Sequence, residues 1–292
     1  MQKRFAFTPA LLAAAALSAA ACDRRAPPPA PTSPITSVND LMPGARVGVQ
    51  RGTTGAFYAE DTLAPRGVEI VTFLKAPDMY NALEAGRIQA IINDLPISED
   101  VVERKPALEI VQRIDNGEKY AFAVDKENTA LLHGIDQALG NLFADGTYEA
   151  IFTKYFPGQP LPSSAGEATA VPFSGCPSLS TVQPKTLTIG SDIPYPPFEY
   201  FTESGETTGF DVELMEAVAR ELCLTPKWVN TNFDTIFTSL SAGRFDAVAA
   251  AVTAYAPEGS PSHATVEARQ KIVSFTKPYY SALQALTVKA SD

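Results

Sequence analysis

Apolar residues along this chain fall into short continuous runs separated by stretches of helical period, the pattern of strands alternating with helices. Between residues 44 and 157, runs at 46–50, 68–73, 90–93, 108–112 and 120–124 predict strands. The segment after the turn 51–55 and segments 77–85, 128–143 and 146–156 predict helices. Gly86 stands where a helix stops in the left-handed conformation. Asp94-Leu95-Pro96 offers a cap followed by a proline in the first turn of the next helix. From residue 185 the alternation resumes, with strands at 186–190, 227–230, 248–252, 272–275 and 282–289 and helices at 211–223 and 235–242. In the helix at 211–223, Val212, Met215, Val218 and Ala219 share one face.

Two features organise this alternation. Residues 157–184 carry six prolines and little apolar period, so they predict a connector between two α/β segments. The segments also share a repeat: Leu83-Glu84-Ala85-Gly86-Arg87-Ile88-Gln89-Ala90 matches Leu240-Ser241-Ala242-Gly243-Arg244-Phe245-Asp246-Ala247 at five of eight positions. Each is a helix end, a glycine stop, a basic residue and a strand start. Two lobes of common design follow, with ligands expected at the carboxyl ends of their strands.

Composition narrows the function. A formal net charge of −10 with no Lys/Arg cluster excludes the basic footprint that nucleic acid requires. Hydrophobic content of 45% is that of a globular chain with a real core. Residues 1–21 have two basic residues, a short apolar run and small residues before Cys22, which predicts a secretory signal. Leu17-Ser18-Ala19-Ala20-Ala21-Cys22 resembles a bacterial lipobox, implying lipidation of Cys22, and Asp23 implies retention on the inner membrane. The plain alternative is a signal cut after Ala-x-Ala. Residues 22–43, with a Pro-rich stretch at 26–34, then form the anchor and a stiff tether. In an oxidising compartment Cys176 and Cys223 are expected to be bridged rather than left as two thiols.

Several motifs carry a resemblance. Val47-Gly48-Val49-Gln50-Arg51-Gly52-Thr53-Thr54, Ala85-Gly86-Arg87, Asn93-Asp94 and Ala144-Asp145-Gly146-Thr147-Tyr148 lie in the first segment. The run Gly190-Ser191-Asp192-Ile193-Pro194-Tyr195-Pro196-Pro197-Phe198-Glu199, with Gly209-Phe210-Asp211 and Phe275-Thr276-Lys277-Pro278-Tyr279-Tyr280, lies in the second. Together they resemble the two halves of type II periplasmic solute-binding proteins, in the polar amino-acid branch serving ABC importers. The halves stand in the opposite order to the family's. The resemblance therefore implies an α/β, two-lobed, circularly permuted fold. Lobe 2 spans 44–118. Residues 119–157 supply the hinge crossing and last helices of lobe 1, 158–184 the connector, and 185–292 the main part of lobe 1. The crossing near 120–125 is expected to stay covalent, the other to be held by pairing of strand 282–289.

The resemblance also implies a site for a small zwitterion. Arg269 would clamp a carboxylate with its planar fork, and Thr53 and Thr54 would add amide and hydroxyl donors. Asp94 would take the ammonium, unless it merely caps a helix. Tyr195 and Phe233 would wall the side chain, and Thr253 would reach the ligand with its hydroxyl. Asp192 either meets a cationic side chain or is structural. Ala250-Ala251 replaces a common Ser-Ser, and residues 255–265 are extra beside the pocket. No cofactor or metal is expected, and His133 and His263 read as structural or solvent-facing. The implied function is a monomeric periplasmic receptor passing an amino acid to an ABC transporter permease. The alternatives are a cyclohexadienyl-dehydratase-like enzyme on the same scaffold, with Asp94 or Asp192 as general acid, and a periplasmic ligand sensor.

Overall fold

The computed structural model describes residues 34–162 and 169–290. The signal, Cys22 and most of the tether lie outside the described residues. Two sheets form the framework. The first segment opens with β1 (Arg46–Gln50), α1 (Thr54–Thr62), β2 (Glu69–Phe73), α2 (Ala76–Glu84), β3 (Ala90–Asp94) and α3 (Leu95–Arg104). A long strand β4 (Leu108–Tyr120) leads directly into β5 (Ala123–Asp125), then α4 (Thr129–Ala144) and α5 (Thr147–Tyr155). After the connector come β6 (Thr186–Ser191), a hairpin of β7 (Tyr200–Phe201) and β8 (Thr207–Thr208), α6 (Phe210–Glu221), β9 (Thr225–Asn230) and α7 (Ile236–Ser241). The chain closes with β10 (Ala247–Val248), β11 (Thr253–Tyr255), α8 (His263–Ile272), β12 (Val273–Phe275) and β13 (Tyr280–Lys289).

Strand order is β11-β4-β13-β3-β1-β2 in one sheet and β12-β5-β10-β6-β9 in the other. In the first lobe, Val47 and Val49 of β1 and Ile92 of β3 pack with Ala56 and Ala59 of α1. The second lobe buries Leu187 and Ile189 of β6 against Leu214, Met215 and Val218 of α6. The repeat read from the sequence is structural. Leu83 and Leu240 are both fully buried, and Gly86 and Gly243 share a φ of 69°. Their amides close equivalent turns, on Leu83 O at 2.9 Å and Leu240 O at 2.8 Å. At Gly209, φ is 133°, and an added Cβ would sit 2.1 Å from Phe198 O. Only glycine lets α6 start against the Pro-rich loop that follows Asp192.

Three expectations change. Strand 282–289 is no latch on an otherwise open crossing. The chain also passes between sheets from β12 to β13, where Tyr280 pairs with Tyr120, and β13 lies inside its sheet between β4 and β3. Residues 253–255 and 280–289 therefore lie in the sheet of the first lobe, not in the main part of lobe 1. The run 248–252 is a strand only at its start. It then turns at Ala251, whose φ is 46°, because Asp211 Oδ2 accepts the Ala251 amide at 2.9 Å.

The connector packs on the second lobe. Val171 N donates to Asn141 Oδ1 at 2.8 Å and Asn128 Nδ2 donates to Ser180 O at 3.0 Å. The expected disulfide is formed: Cys176 is bonded to Cys223, just beyond α6, with Cα atoms 5.5 Å apart.

Candidate functional site between the lobes

The carboxyl ends of β1 and β3 face those of β6 and β10 across a closed cleft. All eight side chains assigned from sequence line it: Thr53, Thr54, Asp94, Asp192, Tyr195, Phe233, Thr253 and Arg269. Gln50, Glu199, Ala250 and Ala251 complete the lining. The water-accessible space is about 20 Å3, room for little more than a water molecule.

Asp94 ends β3 and is the N-cap residue of α3, yet its side chain makes no capping bond. It turns into the cleft, accepting from Tyr195 Oη at 2.8 Å and from Gln284 Nε2. Burial, then the neighbouring Glu118, pushes its carboxyl up to about 6. A cationic ligand group would favour the charged form and be held by it.

Arg269 extends from α8 and is 5% exposed. Its Nη1 donates to Thr253 O at 2.7 Å and its Nη2 to Gly52 O at 3.0 Å, so it bridges the lobes. The guanidinium lies 5.4 Å from the ring centres of both Phe233 and Phe237. These contacts fix its plane and leave further N–H groups for a carboxylate. Burial lowers it to about 10, still protonated at neutral pH.

The hydroxyls differ from expectation. Thr53 Oγ1 caps α1, accepting from Ala56 N at 3.2 Å and donating to Gln50 O at 2.8 Å. Thr54 and Thr253 both donate to Glu118 Oε2, at 3.1 and 2.9 Å. Each Thr proton is thus spent on Glu118, leaving lone pairs rather than donors for a ligand.

Sequence reasoning missed Glu118, a residue of β4 that is 1% exposed. It also accepts from Ser262 Oγ and, at 3.2 Å, from Gln284 Nε2. Ser262 belongs to the extra residues 255–265, so that segment reaches the back of the pocket. Asp192 is engaged across the cleft by Lys75 and Gln50 of the other lobe. Its carboxyl still lies above the ordinary range because burial outweighs the Lys75 charge.

Comparison with known proteins gives the same picture. Residues 187–292 match the model of bacterial extracellular solute-binding proteins, family 3. The histidine-binding periplasmic protein of Escherichia coli is 31% identical over 137 residues, covering 44% of this chain and 52% of that protein. A probable amino-acid ABC transporter-binding protein of Haemophilus influenzae is 37% identical over 108 residues, 37% of this chain and 38% of that protein. The chain thus spans about half the length, or less, of these curated relatives. Among solved structures, the L-cystine solute receptor of Neisseria gonorrhoeae in the unliganded open conformation is 41% identical. That match covers 25% of this chain and 31% of the receptor, with a TM-score of 0.24. Residues 187–292 thus match the bacterial extracellular solute-binding proteins of family 3, in a chain that folds as two α/β lobes.

Proposed function

We propose that this protein is a periplasmic receptor that closes on an amino acid and delivers it to an ABC transporter permease. One observation carries the reading: Arg269 and Asp94, a carboxylate clamp and an ammonium acceptor, face one enclosed space from opposite lobes. The relatives named for histidine and amino-acid binding support it. The matched curated relatives are named as binding proteins, which favours binding over catalysis at this site. The protein acts as a monomer, tethered through Cys22 to the inner membrane.

The two halves stand in circularly permuted order. Sequence matching to the family stops at one half, residues 187–292, while residues 44–157 build the complementary part of the same two sheets. The described chain ends also meet on one strand. Val38 N donates to Gln112 Oε1 at 2.8 Å within β4, and Ala290 N donates to Ala107 O at 2.9 Å just before it. The seam lies on that lobe, away from the hinge.

A thermal-shift screen of the mature protein against the common amino acids tests the function, because a ligand bound only by the folded state raises the melting temperature. At least one amino acid should raise it. No shift with any of them, together with turnover of prephenate or arogenate, would overturn the reading in favour of an enzyme.

A further inference from the structure

Every polar side chain lining the cleft has a hydrogen-bond partner except one. Gln50, Thr53, Thr54, Asp94, Asp192, Tyr195, Thr253 and Arg269 are each engaged. Glu199 is fully buried, lines the same space, and has no partner among the described residues for either carboxyl oxygen. A buried carboxyl left without a partner is costly to keep, so one facing a binding space is poised for a ligand group.

We propose that Glu199 is a further ligand-binding residue, one that receives a positively charged side-chain donor of the bound amino acid. This rests on the amino-acid receptor reading and narrows its substrate class to amino acids with an ammonium, guanidinium or imidazolium side chain.

Charge around the cleft supports this choice over a neutral side chain. Two basic groups, Arg269 and Lys75, meet four carboxyl groups: Asp94, Glu118, Asp192 and Glu199. Arg269 is reserved for the ligand carboxylate and Lys75 is already paired with Asp192. The groups acting on Glu199 are Asp211 on α6, Asp192 after β6, Lys75 before α2 and Asp94 at the end of β3. Only Lys75 among them favours its charged form. Burial first, then these carboxyls, holds the Glu199 carboxyl well above its ordinary range. A ligand bringing one extra positive charge supplies what the site lacks, and Glu199 would then release its proton. Binding of such a ligand therefore strengthens as pH rises through the Glu199 titration.

Isothermal titration calorimetry in buffers of different ionisation heat tests this, with L-arginine, L-lysine, L-histidine and L-glutamine as probes. L-Glutamine is the reference because ammonium binding at Asp94 releases protons with any amino acid. The expected result is extra proton release with a cationic probe. Glu199→Gln should remove that extra release and weaken the cationic probe about ten- to hundredfold relative to L-glutamine. Glu203→Gln, the same charge change at an exposed site, should do neither. Equal proton release by cationic and neutral probes on the unaltered protein would overturn the assignment, whatever the variant does to folding. An unchanged affinity ratio in a folded Glu199→Gln would also overturn it. Binding by none of the four probes would overturn this assignment, while the receptor reading stands or falls with the screen of all the common amino acids.

Discussion

Lys75, the residue before α2 in one lobe, forms an ion pair with Asp192, which follows β6 in the other. Its ammonium also donates to Ile193 O at 3.2 Å and Asn230 Oδ1 at 3.3 Å. With the bonds of Gln50 to Asp192, Tyr195 Oη to Asp94 and Arg269 to Gly52 O, this gives the protein several polar ties across the cleft that need no ligand.

Lys75→Met should therefore open the ligand-free protein. Small-angle scattering should show a larger radius of gyration than for the unaltered chain. Urea denaturation should show a loss of about 1–2 kcal/mol, since Asp192 keeps its Gln50 bond while losing its counter-charge. Saturating ligand should restore the compact form.

Asp94 should make the ligand-free fold less stable as pH rises. Its carboxyl titrates at about 6 in the folded protein against an ordinary 3.8. Between those values the folded state holds a proton that the unfolded state has released, so stability falls as pH rises through the window. Asp211, pushed up to about 7 by burial, acts in the same direction. Asp94→Asn should flatten the decline measured by urea denaturation from about pH 4 to pH 7. It should also be more stable than the unaltered protein at pH 7 while losing ligand.

The extra residues 255–265 should matter through Ser262. Removing its hydroxyl leaves Glu118 Oε1 short of a buried donor, a cost of about 1–3 kcal/mol. Ligand affinity should drop as well, because Glu118 orients Thr54 and Thr253. Ser260→Ala, in the same segment, removes a hydroxyl that has no partner and should leave stability and affinity nearly unchanged.

The proposed permutation makes a constructive prediction. A chain rearranged to run 185–290 and then 35–157, without the connector, should fold and bind the same amino acid with similar affinity. Calorimetry and circular dichroism on both chains would check it. A rearranged chain that folds but binds nothing would show that the present order is needed for the site.

Much of this was legible before any coordinates. The helix–Gly–strand repeat at Gly86 and Gly243 marks a backbone requirement, so it reads directly from composition and spacing. Asp94 stands in a motif that ends a strand, where the cleft lies, whereas Arg269 and Thr253 are legible only through the family resemblance. Glu118 was not legible. It sits near the end of a long strand, and only the strand order that sets β4 between β11 and β13 turns it toward Thr54, Thr253 and Ser262. Glu199 stood inside a motif already singled out, but its isolation depends on burial that no local pattern encodes. The lobe to which β13 belongs was misread because an extended segment reads alike whichever sheet it joins.

The central claim is that one chain encloses one amino acid between Arg269 and Asp94. Calorimetric titration of the mature protein with the amino acid giving the largest thermal shift tests this most directly. A stoichiometry of one per chain, with affinity falling at least about a hundredfold in both Arg269→Ala and Asp94→Ala, is the expected result. Binding that survives both substitutions would contradict the account, because it would place the ligand somewhere other than this cleft.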